Sequence, residues 1–163
     1  QAKTLGPVLI LTNSQTGWVQ FSCQRVFPRL WEALQNVPVY SARSQHETEE
    51  QSLAAQMALN QPAVPFTVPH EWSLGWKTAA FHHNLRFRLS EVKGLVAFGD
   101  SSHDRAAVLT LRTTFPDLKV SSVLTMPMPT LDKFKFQWRL LMSQMSGLHQ
   151  APQGADVVVQ MLL

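Results

Sequence analysis

Apolar residues fall along this chain in two alternating patterns. Short unbroken runs at Val8–Thr12, Val37–Tyr40, Gly94–Phe98 and Val120–Leu124 read as strands buried on both faces. Val157–Leu163 is a last apolar segment with strand character. Between these runs the apolar positions take helical spacing. Trp18 to Leu34 predicts a helix through Phe27, Leu30, Trp31 and Leu34, with Pro28 placed to kink or shorten it. Thr48-Glu49-Glu50-Gln51 is a capping-box pattern that opens a helix ending near Leu59. Pro62–Pro69 is proline-rich and irregular, and Trp72–Leu85 reads as a helix although Gly75 weakens it. A further helix runs from His103 to Thr113 and closes before Pro116. Thr130 caps a long helix whose stripe of Leu131, Phe134, Trp138, Leu141, Met142 and Met145 reads as core. Strands alternating with helices predict a parallel sheet covered by helices on both faces.

Composition narrows the setting. The chain has 163 residues, 45% of them hydrophobic and 15% charged, which fits one globular domain. Its formal charge of +3 comes from scattered Lys and Arg, which does not support nucleic acid as a partner. Cys23 is the single cysteine, so no internal disulfide forms, and a reducing, intracellular and cytoplasmic setting is expected. No apolar run reaches membrane-spanning length, so no membrane partner is expected. The five tryptophans, Trp18, Trp31, Trp72, Trp76 and Trp138, read as core or helix anchors. His82 and His83 are adjacent, so a helix would point them apart and make them a poor metal pair.

Three stretches carry candidate chemistry. The first strand ends in Thr12-Asn13-Ser14 and presents a hydroxyl at a strand's carboxyl end. Lys77 lies in Gly75-Trp76-Lys77-Thr78-Ala79-Ala80-Phe81. The run Gly94–Asp104 is an apolar strand that ends in Gly99-Asp100, with Ser101 next and Asp104 four residues beyond Asp100. Asp100 then stands at the carboxyl end of a buried strand, where open α/β sheets place their ligands. Gly99 reads as the residue that lets the chain turn sharply, and a carboxylate capping the next helix is the simpler reading of this run. A hydroxyl, an ammonium and two carboxylates suit a phosphoryl group with Mg²⁺. The hydroxyl donates to a phosphate oxygen, the lysine offsets charge, and the carboxylates hold a hard cation.

This ordered set resembles the haloacid dehalogenase superfamily of aspartate-nucleophile phosphatases. Leu9-Ile10-Leu11-Thr12 matches its second motif, Lys77 its third, and Gly99-Asp100-Ser101-Ser102-His103-Asp104 its fourth. With Tyr40-Ser41-Ala42-Arg43-Ser44 and Arg105-Ala106-Ala107-Val108, the likeness is to a eukaryotic, protist- and alga-type branch, from about Val8 to Met145. The resemblance implies a Rossmann-like three-layer α/β/α fold with a mostly parallel sheet. It implies Thr12 and Lys77 as catalytic residues, Asp100 and Asp104 as Mg²⁺ ligands, and Asn13 and Ser101 at the phosphate. The partner it implies is a small phosphorylated substrate or a phosphoprotein. Specificity in such enzymes lies in cap insertions, for which Gln45–His70 is the one sizeable candidate.

One departure decides what chemistry is open. The family's first motif is Asp-x-Asp on a strand ahead of the Thr-bearing one, and its leading Asp is the nucleophile. The aspartates here are Asp100, Asp104, Asp117, Asp132 and Asp156, and none belongs to an Asp-x-Asp. The aspartyl-phosphate route is closed without that carboxylate, so no turnover is expected of the chain as it stands. The expectation is of a natural protein that extends further toward its N-terminus. The alternative is a binding or scaffold domain that keeps the fold without the chemistry. A third reading takes Ser14-Gln15-Thr16-Gly17 as the phosphate loop of a flavodoxin-like FMN protein, with Pro69-His70-Glu71-Trp72 as a flavin-contact loop.

Overall fold

The computed structural model describes residues 6–59, 68–86, 88, 91–150, 154 and 156–158. It is an α/β protein whose strand pairs are all parallel. The chain divides into two compact units, and the division falls between Ala80 and Phe81.

In the first unit β1 (Ile10–Thr12) pairs in parallel with β2 (Val39–Ser41), which sets Thr12 beside Ser41. The helical region between them is two helices, α1 (Trp18–Val26) and α2 (Pro28–Leu34). Pro28 opens the second at a position where its missing N–H costs nothing. The short α3 (Ala42–His46) follows β2, and α4 (Glu49–Leu59) comes next. The capping box at the start of α4 closes reciprocally. Gln51 N donates to Thr48 Oγ1 at 3.2 Å, and Thr48 N donates to Gln51 Oε1 at 3.1 Å. The same Gln51 oxygen accepts from Trp76 Nε1 at 2.9 Å and ties α4 to α5 (His70–Arg86). Trp76 is buried with Ala42 and Ala80, and Leu11 and Trp72 pack against them.

The second unit is a three-layer sandwich in its own right. Its sheet has the order β3 (Gly94–Gly99), β4 (Lys119–Leu124), β5 (Asp156–Val158). On one face Leu85 at the end of α5 joins Val108 and Leu111 of α6 (Ser102–Thr114) and Val120 of β4, with Leu95 and Ala97 packed against them. On the other, Leu141 of α7 (Leu131–Gln150) meets Val123, with Val96, Phe98 and Trp138 alongside. Consecutive side chains of β3 thus enter opposite apolar layers, as its unbroken apolar run requires. Gly154, at φ 81°, lies so close to the Val120 backbone that no side chain fits there. That approach brings the chain onto the β4 edge.

Three expectations are corrected. The strands form two parallel sheets, not one continuous one. The stripe read as core on the long helix holds at Trp138, Leu141 and Met145 but not at Leu131, Phe134 and Met142, which are exposed. Gln137 is buried beside them, and its Oε1 accepts from Met126 N at 3.1 Å. Trp18 is not a core residue either: it is 56% exposed. Most of Pro62–Pro69 and the end of the last apolar segment, 159–163, lie outside the described residues, as do residues 60–67 of the candidate cap region. No helix among the described residues is long and apolar enough to cross a membrane.

Candidate functional site

The carboxyl ends of β1 and β2 gather a dense set of hydroxyl and amide groups within the first unit. Thr12 Oγ1 accepts from Ser14 N at 3.1 Å, a tight side-chain turn that folds the loop back on the strand end. Accepting leaves the Thr12 hydroxyl its own proton to donate. Ser41 Oγ donates to Ser14 O at 2.6 Å and accepts from Ser44 N at 2.9 Å, so one buried hydroxyl joins the β1 loop to the start of α3. Ser44 Oγ in turn accepts from Thr16 N at 3.0 Å. The loop ends at Gly17, whose φ of 87° lies in the left-handed region that glycine tolerates. Gly17 starts α1 without a side-chain cap or an acidic residue in the first turn.

Helix α5 grips the same strand end with two residues one turn apart. Lys77 Nζ donates to Leu11 O at 3.1 Å, a bond that spans 66 residues of sequence. Ser73 accepts from Asn13 Nδ2 through both its carbonyl, at 3.1 Å, and its hydroxyl, at 2.9 Å. Positions i and i+4 of a helix share a face, which is why one helix reaches both Leu11 and Asn13. Asn13 uses its amide on Ser73, so it holds the loop, and its Oδ1 is buried with no hydrogen-bond partner among the described residues. Arg43 lies 5.6 Å from the centre of the Trp76 ring and pairs with Glu47 at 2.8 Å.

The acidic stretch lies in the second unit. Asp100 is exposed immediately after β3. Ser101 caps α6: its hydroxyl accepts from Asp104 N at 3.2 Å and donates to Asp104 Oδ2 at 2.8 Å. The cap is therefore the serine, and Asp104 supports it from the first turn. Gly99 is not at a positive φ, so its expected role as a sharp pivot is corrected. It is small because Asp104 lies over it; an added Cβ would meet the Asp104 Cβ and stand 2.7 Å from Oδ2. Gly99 O accepts from both Thr125 N at 2.7 Å and Thr125 Oγ1 at 3.1 Å, which fixes the ends of β3 and β4 together.

The structure thus joins Thr12, Asn13 and Lys77 in one cluster, and Asp100, Ser101 and Asp104 in another. Among the described residues no group of three or more His, Cys, Asp or Glu side chains comes together. Two aspartates offer hard oxygen donors, the chemistry Mg²⁺ takes when water and phosphate complete its shell. The residues that sequence reasoning missed are Ser41, Ser44 and Ser73. Their signal was faint: serine is common, and only the Thr12–Ser41 register shows two hydroxyl residues side by side. The stretch read as a flavin-contact loop is helical from His70 onward, and Trp72 packs against the first unit's core. In comparisons with protein families, curated proteins and solved structures, the chain matches none.

Proposed function

We propose that this chain is a haloacid dehalogenase-like domain that binds phosphate monoesters and lacks the nucleophile needed to hydrolyse them. The observation that carries the reading is the bond from Lys77 Nζ to Leu11 O. It sets an ammonium at the carboxyl end of β1, one residue from the Thr12 hydroxyl. In this reading Thr12 donates to a phosphoryl oxygen. Lys77 offsets part of the dianion's charge. Asn13, Ser41 and Ser44 hold the loop in shape, so little ordering is needed when the anion arrives.

Asp100 and Asp104 are the residues that the resemblance assigns to Mg²⁺, which when bound would supply Lewis-acid chemistry. Asp100, exposed at the strand end, offers a carboxylate directly. Asp104, on the first turn of α6, offers a second carboxylate. Hydrolysis by the covalent route needs a carboxylate in line with phosphorus. A chain supplied with an Asp-x-Asp strand would act as a phosphatase on a small phosphorylated substrate or a phosphoprotein. A domain that binds the same esters without turnover is the alternative.

The test is calorimetric titration of inorganic phosphate and an aryl phosphate into the chain, with and without Mg²⁺, beside an aryl phosphatase assay. Binding without turnover is expected, with turnover gained in a form extended upstream by an Asp-x-Asp strand. Absence of phosphate binding would overturn the reading. Robust turnover by the chain alone would overturn the missing-nucleophile assignment.

A further inference from the structure

Trp18 and Phe21 are each 56% exposed, and their rings lie 6.2 Å apart, tilted by 36°, on the first turn of α1. They contribute to no buried cluster of the first unit, whose core is built on Ala42, Trp76 and Ala80. Two large aromatic rings kept together at the surface are a costly arrangement unless something covers them. Their position suggests what does. Trp18 is the first helical residue after the Thr12–Gly17 loop, and Trp18 N donates to Gln15 O at 3.1 Å. That turn holds the Trp18 and Gln15 Cα atoms within about 7 Å of each other. Gln15 itself adjoins Ser14, whose amide closes onto the Thr12 hydroxyl. The rings therefore begin where the hydroxyl-lined loop ends, on the same continuous stretch of chain.

We propose that Trp18 and Phe21 form a platform that stacks the planar aromatic group of a phosphate monoester whose phosphate rests on the Thr12–Thr16 loop. This inference rests on the phosphate reading of that loop and adds the substrate class: aryl or nucleoside phosphates over phosphates of sugars and polyols. An aryl ring lies one ester linkage from phosphorus, and a nucleobase one sugar further, so both suit a short step from loop to ring. A flat π-face on exposed Trp and Phe selects planarity without reading hydrogen bonds, so preference among aromatic groups is weak and rejection of non-aromatic ones is strong.

The experiment titrates phenyl phosphate, glycerol phosphate and inorganic phosphate into the whole chain. Phenyl phosphate is expected to bind about tenfold more tightly than glycerol phosphate. Trp18→Ala and Phe21→Ala should each remove most of that margin and leave glycerol phosphate unchanged, while Trp18→Tyr restores it. Both side chains are exposed, so circular dichroism should show an unaltered fold. Equal binding of phenyl and glycerol phosphate by the parent chain overturns the platform and leaves the phosphate reading standing. So does a Trp18→Ala effect that falls equally on all three ligands. If none of the three binds, the phosphate reading fails and the platform fails with it.

Discussion

Asp104 lies directly over Gly99, and the space a side chain would occupy at Gly99 is filled by the aspartate's Cβ and carboxyl group. The strand end and the first turn of α6 are therefore packed backbone against side chain. Gly99→Ala should destabilise the protein by about 1–3 kcal/mol, the usual cost of overpacking. Because the aspartate's own Cβ takes part in the clash, the penalty should persist in an Asp104→Ala background. Urea denaturation of the two single variants and the double variant measures this.

Ser41 uses one hydroxyl for two bonds, to Ser14 O and from Ser44 N. Ser41→Ala leaves a carbonyl and an amide without that partner in a partly buried setting. A loss of about 1–3 kcal/mol is expected. Hydrogen exchange should quicken most at Ser44, whose amide loses its cap. An effect spread evenly over the chain would show that Ser41 does not organise this loop.

Replacing Lys77 separates binding from folding. Lys77→Met keeps the length and the apolar stem of the side chain, which lies buried on α5. Hydrogen bonds to charged groups contribute about 1.5–3 kcal/mol, so phosphate affinity should fall at least about tenfold. Thr12→Val should weaken phosphate binding less, since it removes one neutral hydroxyl. Calorimetry gives the affinities, and thermal unfolding checks that the fold survives.

Acid should loosen β5. Arg105 Nε donates to Asp156 Oδ1 at 2.9 Å, and a second guanidinium nitrogen bonds Oδ2. The hydrogen bond from Arg105 holds the Asp156 carboxyl below its ordinary value; burial opposes it, and the charges of Arg105 and Arg112 lower it by smaller amounts. A carboxylate whose folded pKa is lowered contributes stability that is present above its unfolded value. That contribution disappears as pH falls through the lowered folded value. Amide protection in β5 should therefore decline below the ordinary carboxylate range, and Asp156→Asn should make it both weaker and insensitive to acid. The pair is largely exposed, so added salt should erode it as well.

The elements announced themselves where local physics was sufficient. The run Leu95–Phe98 could only be a strand covered on both faces, and Thr48 with Gln51 marked the start of α4 through a bond that forms between near neighbours. Pro28 was legible as a break and turned out to begin its own helix. On α7 periodicity made Trp138, Leu141 and Met145 legible as core, but not the burial of Gln137, which depends on its bond to Met126 N in the preceding loop. At the candidate site, Thr12 and Lys77 could be named from the sequence, while the serines that shape the loop could not. Their role depends on the register of β1 with β2 and on a helix 60 residues further along.

In β3 successive backbone N–H groups point alternately to the two edges of the strand. β4 pairs with one edge, and among the described residues no strand pairs with the other. Deuterium should therefore enter this strand in a two-residue rhythm, slowly at amides turned toward β4 and faster at those between them. Leu95–Phe98 carries none of the lysines or prolines by which edge strands repel new neighbours. An even rhythm across residues 94–99 would show that both edges of the strand are paired.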